Sequence, residues 1–183
     1  MKKIKTILCA LFTLSALSSA SPAYTSELQS SQNLEHSLCR ISYEGTLFAL
    51  EDESQWLIPD CNSTLSLEWN LGDPLIITPN TCFFSYYTYT ISNLSTGTST
   101  VANLYYGPRI GGAFTKQVTE LDIADGDITL SDGSSWRVAT AFKKDLTKWQ
   151  VSDYVLIGES NQKNRNILIN VTLNQYVESI NYN

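Results

Sequence analysis

The chain has 183 residues and a formal net charge of −6 at neutral pH. An acidic chain gains no free energy of counterion release on a polyphosphate, so this charge argues against nucleic acid as a partner. It argues equally against an anionic membrane surface.

The first 20 residues have the pattern of a secretory signal peptide. Lysines precede an apolar run from Ile7 to Leu17, and two small residues, Ser18 and Ala20, precede the expected cleavage site. The run is too short to span a bilayer of about 30 Å as a helix. We therefore expect cleavage and export to the periplasm, the cell envelope or the medium. Cleavage leaves nine basic and eighteen acidic residues, a formal charge of −9.

The mature chain is predicted to contain a leader and two domains, with no transmembrane span. Residues 21–37 are polar and aperiodic, which is typical of a flexible leader. Residues 38–107 form the first domain and residues 118–183 the second. Residues 108–117, which include Gly111 and Gly112, form the linker between them.

The two domains repeat one sequence pattern at an offset of 80 residues. All four tryptophans follow it, since Trp56 and Trp69 superimpose on Trp136 and Trp149. Between Leu50 and Ile77 the offset gives seven identities in 28 positions, where chance gives about two. This periodicity predicts a tandem repeat of one small domain.

Each repeat is predicted to have five short strands and no long helix. Two alternating strands flank a turn at Glu51–Glu53 or Ser131–Gly133, and the second turn has the Asp-Gly pair favoured in β-hairpins. Glu53 replaces that glycine, so the first turn must differ or carry strain. Short strands without a covering helix predict an all-β fold, with two small closed barrels of SH3-like or OB-like type.

The register of the last two strands is ambiguous, because the second repeat is shorter beyond Ile77. Three offsets compete: 77 pairs Asn93 with Asn170, 78 pairs Ile91 with Ile169, and 76 pairs Val101 with Val177.

The repeated tryptophans have two explanations. They either fill the barrel cores or form a stacking platform for a sugar or peptide. Identical placement in both repeats favours the core. Trp69 and Trp149 border a loop, so we expect these two to be partly exposed and treat them as candidate partner-binding residues.

Aromatic residues crowd the predicted fourth strand of the first repeat, which contains Phe83, Phe84, Tyr86, Tyr87 and Tyr89. Neighbouring residues of a strand face opposite sides, so one set must lie outside the core. We predict that Phe84 and Tyr86 form the outer set. It either packs on the second domain or forms an exposed patch for a partner.

Three cysteines remain after cleavage, and an oxidising compartment favours a disulfide between two of them. We favour Cys61–Cys82, followed by Cys39–Cys82. A zinc site needs a fourth ligand, and the one histidine, His36, lies in the predicted leader. No metal or other cofactor is therefore expected.

Catalytic patterns are weak. Asp52, Asp73 and their repeats Asp132 and Asp153 are turn residues, whose carboxylates typically accept backbone N–H groups. The alternative is a hydrolase in which two equivalent aspartates face each other between the barrels. A single histidine in a leader offers no positioned general base for a serine or cysteine nucleophile. We therefore predict that the protein is not an enzyme.

The segment from Leu130 to Trp136, Leu-Ser-Asp-Gly-Ser-Ser-Trp, followed by Trp149 and Asp153, resembles a module of uncharacterised exported proteins of intracellular bacteria. The first repeat carries the same pattern from Leu50 to Asp73. Glu53 and Ser152 stand where the module has glycine. The resemblance implies a small β-barrel and no established activity.

Together these patterns predict an exported, non-enzymatic binding protein with a protein or glycan partner. The candidate contact residues are Phe84, Tyr86, Trp69 and Trp149. The alternatives are a hydrolase with an acidic site between the barrels and a purely structural envelope component.

Overall fold

A computed structural model describes residues 34–109 and 111–182. The predicted signal peptide and residues 21–33 of the predicted leader lie outside the described residues. The described chain is all-β and forms two closed barrels in tandem, as predicted. None of its helices has the length and apolar character to cross a bilayer.

The first barrel consists of two three-strand meanders joined by a helical connection. Its elements are β1 (His36–Ile41), β2 (Leu47–Leu50), β3 (Gln55–Leu57), the 3₁₀ turn Asp60–Asn62, α1 (Ser63–Leu67), β4 (Pro74–Pro79), β5 (Tyr89–Asn93) and β6 (Thr98–Tyr106). The strand order is β1-β2-β3-β6-β5-β4, and β4 pairs with β1 to close the barrel.

The second barrel has the same arrangement. Its elements are β7 (Thr115–Asp122), β8 (Asp127–Leu130), β9 (Ser135–Val138), the 3₁₀ turns Thr140–Phe142 and Asp145–Lys148, β10 (Tyr154–Glu159), β11 (Asn166–Asn170) and β12 (Gln175–Asn181). Its strand order is β7-β8-β9-β12-β11-β10, and β10 pairs with β7.

Each barrel has six strands rather than the five predicted, because the first strand of each unit was missed. Both β1 and β7 contain a register shift, between Leu38 and Arg40 and between Val118 and Glu120. A bulge adds a residue to one strand and breaks the two-residue alternation by which a strand is recognised.

The strain expected in the first hairpin turn is present. Glu53 has a φ of 63°, in the left-handed region that Gly133 occupies in the second turn with a φ of 83°. A residue with a Cβ is disfavoured there by about 1–2 kcal/mol. The turn is therefore conserved in shape between the two barrels, and Glu53 adopts it at an energetic cost.

The offset of 77 residues describes the later strands. Asn93 lies opposite Leu75, and Asn170 lies opposite Val155. The same offset continues into the last strand, where Thr100 lies opposite Ile91 and Val177 opposite Leu168. The pairing of Val101 with Val177 is therefore wrong. The equivalence of Asn93 and Asn170 is supported by a shared hydrogen bond. Each asparagine side chain donates over 2.6 Å to the aspartate that precedes the fourth strand of its own barrel.

One tryptophan plugs each barrel. Trp56 and Trp136 are 0% and 3% exposed. Each indole N–H donates to the serine two residues earlier, over 3.0 Å to Ser54 and 2.8 Å to Ser134. The core explanation therefore applies to this pair of tryptophans, since each indole is buried and its polar atom is satisfied.

The two barrels share an apolar interface. Leu156, Ile167 and Ile169 of the second barrel belong to the buried cluster of the first barrel. A Cβ at Gly158 would lie 2.6 Å from the carbonyl oxygen of Ile77, so β10 approaches β4 too closely for any side chain at this point. The two barrels therefore pack directly against each other through these strands.

Candidate binding surface

Three highly exposed aromatic residues lie together in the connection between β4 and β5, residues 80–88, which we call the aromatic loop. Phe83, Phe84 and Tyr86 are 93%, 94% and 83% exposed. The exposure of Phe84 and Tyr86 agrees with the predicted outer set, although both lie in a loop, since β5 begins only at Tyr89. Their role in partner binding stays a prediction.

Two asparagine side chains hold the loop in place. Asn80 donates from Nδ2 to the carbonyl of Tyr87 over 2.8 Å and accepts the N–H of Cys82 at Oδ1 over 3.0 Å. Asn103 on β6 accepts the N–H of Thr88 over 2.8 Å and donates to the carbonyl of Tyr86 over 3.2 Å. These amides are used to hold the backbone, and the aromatic rings face solvent.

Neighbouring rings of the aromatic loop meet edge to face. Phe83 and Phe84 have ring centroids 5.4 Å apart at 89°, and Tyr86 and Tyr87 have centroids 5.5 Å apart at 88°. Adjacent rings at right angles do not form one flat stacking platform. They form short wedges, which suit separate apolar pockets of a partner.

No charged side chain interrupts this region. Residues 74–108, which include β4, the aromatic loop, β5 and β6, contain no Asp, Glu, Lys, Arg or His. Charged residues are depleted and aromatic residues enriched at the centres of protein interfaces. This long uncharged stretch, together with turn residues at Asn80 and Ser85, is the sequence signal that would have placed Phe83 in an exposed loop as well.

Trp69 and Trp149 do not belong to an exposed surface, so the prediction that they are partly exposed is wrong. They are 4% and 3% exposed and lie in the two barrel cores. The indole N–H of Trp69 donates to Thr98 Oγ1 over 2.9 Å, and its ring meets Phe48 edge to face. The helical connection before each residue directs the indole into its barrel, which leaves no ring face for a ligand.

The predicted Cys61–Cys82 disulfide is not formed, and Cys39, Cys61 and Cys82 are all free and exposed. Cys61 lies in the 3₁₀ turn before α1, and its thiol points to Asn62 Oδ1 at 3.7 Å. Cys82 lies in the aromatic loop, where Asn80 holds its backbone. A disulfide needs Cβ atoms about 4 Å apart, and sequence spacing alone does not supply this geometry.

His36 lies in β1, fully buried where the barrels meet, although the sequence placed it in the leader. Its Nδ1 is 3.1 Å from Glu51 Oε1, and its Nε2 is 3.0 Å from the carbonyl oxygen of Ile157 in the second barrel. The imidazole ring therefore links the first hairpin to the second barrel.

Glu51 is the carboxylate partner of this histidine. Burial raises its pKa, but the hydrogen bond and charge of His36, with the backbone N–H of Ser37, outweigh burial and hold the pKa below the usual 4.5. The pair joins β1 to the hairpin and to the second barrel. These contacts are those of a structural pair that connects elements of the fold.

The four repeated aspartates are held by neutral groups and one lysine. Asp73 and Asp153 each accept an asparagine amide at 2.6 Å and a backbone N–H. Asp52 accepts the N–H of Ser54 and the hydroxyl of Thr115. Asp132 accepts the N–H and the hydroxyl of Ser134 and lies near Lys116.

Two of these aspartates, Asp73 and Asp132, have pKa values below normal. The hydrogen bond from Asn93 chiefly lowers the pKa of Asp73. Burial raises the pKa of Asp132, but the bonds from Ser134 and the charge of Lys116 outweigh it and leave the pKa below normal. A carboxyl that stays ionised at neutral pH cannot serve as a general acid.

Across residues 34–109 and 111–182, no group of three or more His, Cys, Asp or Glu side chains is arranged to hold a metal ion.

The chain matches no protein-family model, no curated protein and no solved structure. The resemblance to exported proteins of intracellular bacteria therefore stays a prediction.

Proposed function

We propose that the protein is an exported, non-enzymatic binding protein whose contact surface is the aromatic loop. The observation that carries the proposal is the near-complete exposure of Phe83, Phe84 and Tyr86 on a loop held by Asn80 and Asn103. Holding apolar side chains in water is unfavourable unless a partner covers them. A loop ordered before binding loses little conformational entropy when it binds.

A protein partner suits this loop best. Its asparagine side chains are already engaged with the backbone, so few polar groups project towards a ligand. A sugar requires several such groups beside a flat ring, whereas an apolar protein pocket requires only the ring. A glycan is the second candidate, since the ring and hydroxyl of Tyr86 are exposed together.

We infer an OB-like rather than an SH3-like type for both barrels, with one strand added to the usual five. The support is the Greek-key closure of two meanders, in which β3 pairs with β6 and β1 with β4, and the helical segment that follows the third strand. OB-like barrels bind ligands through loops and one strand face.

The place of action we propose is the periplasm, the cell envelope or the medium, on the basis of the signal-peptide pattern of residues 1–20.

A hydrolase is the alternative that one carboxyl favours. Burial and the neighbouring negative charge of Glu35 raise the pKa of Glu159, although the backbone N–H of Leu34 opposes the rise. A raised pKa suits a general acid. If this alternative holds, Glu159→Gln abolishes a hydrolytic activity that Phe84→Ala leaves unchanged.

A structural envelope component is the other alternative. Closed barrels have no free strand edges, so the exposed thiols would have to link the copies. Size-exclusion chromatography with and without reductant tests this alternative. It predicts a larger, disulfide-linked species that reductant converts to monomer.

The test of the binding function is affinity capture with the mature chain from envelope or host extract. Phe84→Ala/Tyr86→Ala is compared with the wild type and with Tyr154→Ala, which removes a half-exposed aromatic residue of the second barrel. Interface anchors contribute about 2 kcal/mol or more each. We expect the double variant to lose the captured partner and Tyr154→Ala to keep it. Equal capture by all three proteins would contradict the proposal.

A further inference from the structure

The first hairpin of each barrel carries the same three side chains, an aspartate, a serine and a tryptophan, but different residues cover them in the two barrels. In the first barrel, Ser54 donates its N–H to Asp52 Oδ1 over 2.8 Å and accepts the indole N–H of Trp56 over 3.0 Å. Asp52 and Ser54 are both 0% exposed. This hairpin end is therefore sealed.

The seal is the chain's own linker, which crosses the hairpin end. Arg109 donates its backbone N–H to the carbonyl of Asp52 over 3.0 Å, and the hydroxyl of Thr115 donates to Asp52 Oδ2. Between them, a Cβ on Gly112 would lie 2.9 Å from the Asp52 Cβ. The linker can cover Asp52 in this way because it has a glycine at the close approach and a threonine hydroxyl three residues later.

The second barrel has the same recognition groups in a more open setting. Ser134 donates its N–H and hydroxyl to Asp132 Oδ1 over 3.0 Å and 2.6 Å, and accepts the indole N–H of Trp136 over 2.8 Å. The Asp132 side chain is 38% exposed, and Oδ2 is 3.5 Å from Lys116 Nζ. No linker threonine reaches this carboxylate.

A cleft of about 680 Å³ lies over these groups. Its walls include Leu34, Phe114, Lys116, Asp132, Ser134 and Trp136. A Cβ on Gly133, the residue equivalent to Glu53, would meet no atom within 4 Å. The cleft has room for a peptide backbone, apolar walls for its side chains and one carboxylate oxygen directed towards a donor.

We propose that this cleft binds a segment of a partner protein that forms a turn with a glycine at its first position and a serine or threonine at its fourth. The linker has this form, since the N–H of Thr115 donates to the carbonyl of Gly112 over 3.2 Å. The hydroxyl donates to Asp132 Oδ2, as Thr115 does to Asp52. The glycine passes the turn, as Gly112 does in the first barrel. The proposal is independent of the aromatic loop and rests on the mode of binding that the linker shows.

Lys116 tunes this site. Its ammonium group shares Oδ2 with the incoming hydroxyl and disfavours a basic residue beside it. Apolar contact with Leu34 and Phe114 adds affinity that does not depend on salt. A hydroxyl peptide without a neighbouring cation is therefore the preferred ligand.

The probe is a synthetic peptide with the linker sequence of residues 108–115, amidated at its C-terminus so that no lysine follows the threonine. It is labelled with a fluorophore and titrated with the mature chain while anisotropy is measured. The comparison peptide has valine in place of the threonine, which removes the hydroxyl and keeps the shape. The protein variants are Asp132→Asn and, as a control, Asp122→Asn, which changes a turn aspartate of the same barrel that also accepts backbone N–H groups.

We expect saturable binding with a dissociation constant below about 1 mM. The valine peptide and Asp132→Asn should each weaken it by about tenfold or more, since a hydrogen bond to a charged group is lost. Asp122→Asn and Phe84→Ala should leave it unchanged. Absence of saturable binding to the wild type, or equal binding of the threonine and valine peptides, would overturn the proposal whether or not Asp132→Asn folds.

Discussion

The two barrels place very different loops at the same point of the same fold. The connection between β4 and β5 is the uncharged aromatic loop, whereas residues 160–165, between β10 and β11, read Ser-Asn-Gln-Lys-Asn-Arg. Arg165 in the second loop pairs with Glu178 at 3.1 Å. The two connections lie side by side, since Asn161 donates to the carbonyl of Pro79 over 2.8 Å.

Under the proposed function, the barrel supplies the frame and the loops supply the recognition. The buried residues Trp56 and Trp136 keep the same residue type in both barrels, because the packing of each barrel depends on them. Exposed loop positions have no such constraint. Stability is therefore expected to depend on the shared frame, and binding on the aromatic loop that the second barrel lacks.

The largest effect on stability is expected from Trp56→Ala. Replacing a buried tryptophan by alanine costs about 3–5 kcal/mol, because transfer free energy is lost and a cavity is left. Urea unfolding followed by circular dichroism measures the change. Phe84→Ala, in the exposed loop, should change the free energy of unfolding by less than about 0.5 kcal/mol. Similar losses for both variants would break the division between frame and loop.

Gly158→Ala should destabilise the barrel interface by about 2 kcal/mol, because its Cβ would lie 2.6 Å from the carbonyl oxygen of Ile77. Gly111→Ala is the matched control, since its Cβ would meet nothing within 4 Å. Thermal unfolding of both variants provides the comparison. An unchanged midpoint for Gly158→Ala would mean that β4 and β10 are not in close contact.

Glu51→Gln should lower the free energy of unfolding by about 1.5 kcal/mol at neutral pH, because the charge-assisted bond to His36 is lost. The folded-state pKa of Glu51 is depressed. Its contribution is therefore complete above the unfolded value near 4.5 and is lost as the pH falls through the lower folded value.

The pH dependence supplies the check on this pair. Urea titrations between neutral pH and acid should show the wild type and Glu51→Gln converging below pH 4.5. A constant difference at every pH would show that the ionised pair with His36 contributes nothing to stability.

The smallest effects concern the two hairpin turns. Glu53→Gly should stabilise the protein by about 0.5–1 kcal/mol, since relief of the left-handed strain exceeds the added entropy of the unfolded glycine. Gly133→Ala should destabilise it by about 1 kcal/mol, since its φ is 83°. Opposite signs in differential scanning calorimetry are the expected result. Equal signs would mean that the two turns are not equivalent.

Local sequence patterns predicted the frame where the chain alternates regularly. The hairpin around Trp56 and its repeat were identified because residues of one strand face recur at every second position. The strands β1 and β7 were missed because a bulge near Leu38 or Val118 shifts that alternation. The first residues of β1 and β7 were therefore assigned to the predicted leader and the predicted linker.

Tertiary contacts explain the errors at the candidate site. Trp69 borders a loop in sequence, but its indole packs on Phe48 within the barrel. The spacing of Cys61 and Cys82 does not fix the distance between their Cβ atoms. The alternation of Phe84 and Tyr86 indicated an outer set correctly, although the residues lie in a loop. The cleft of the second barrel could not be predicted from local sequence. Asp132 and Asp52 occupy equivalent turn positions and differ only in what covers them in the folded chain.

Exchange of the loops separates binding from stability in one variant. Residues 81–87 are replaced by the sequence of residues 161–164, and affinity capture is repeated beside a thermal unfolding experiment. We expect a cooperative unfolding transition like that of the wild type, because the barrel cores are untouched, and complete loss of the captured partner. A folded exchange variant that captures the partner as well as the wild type would contradict it.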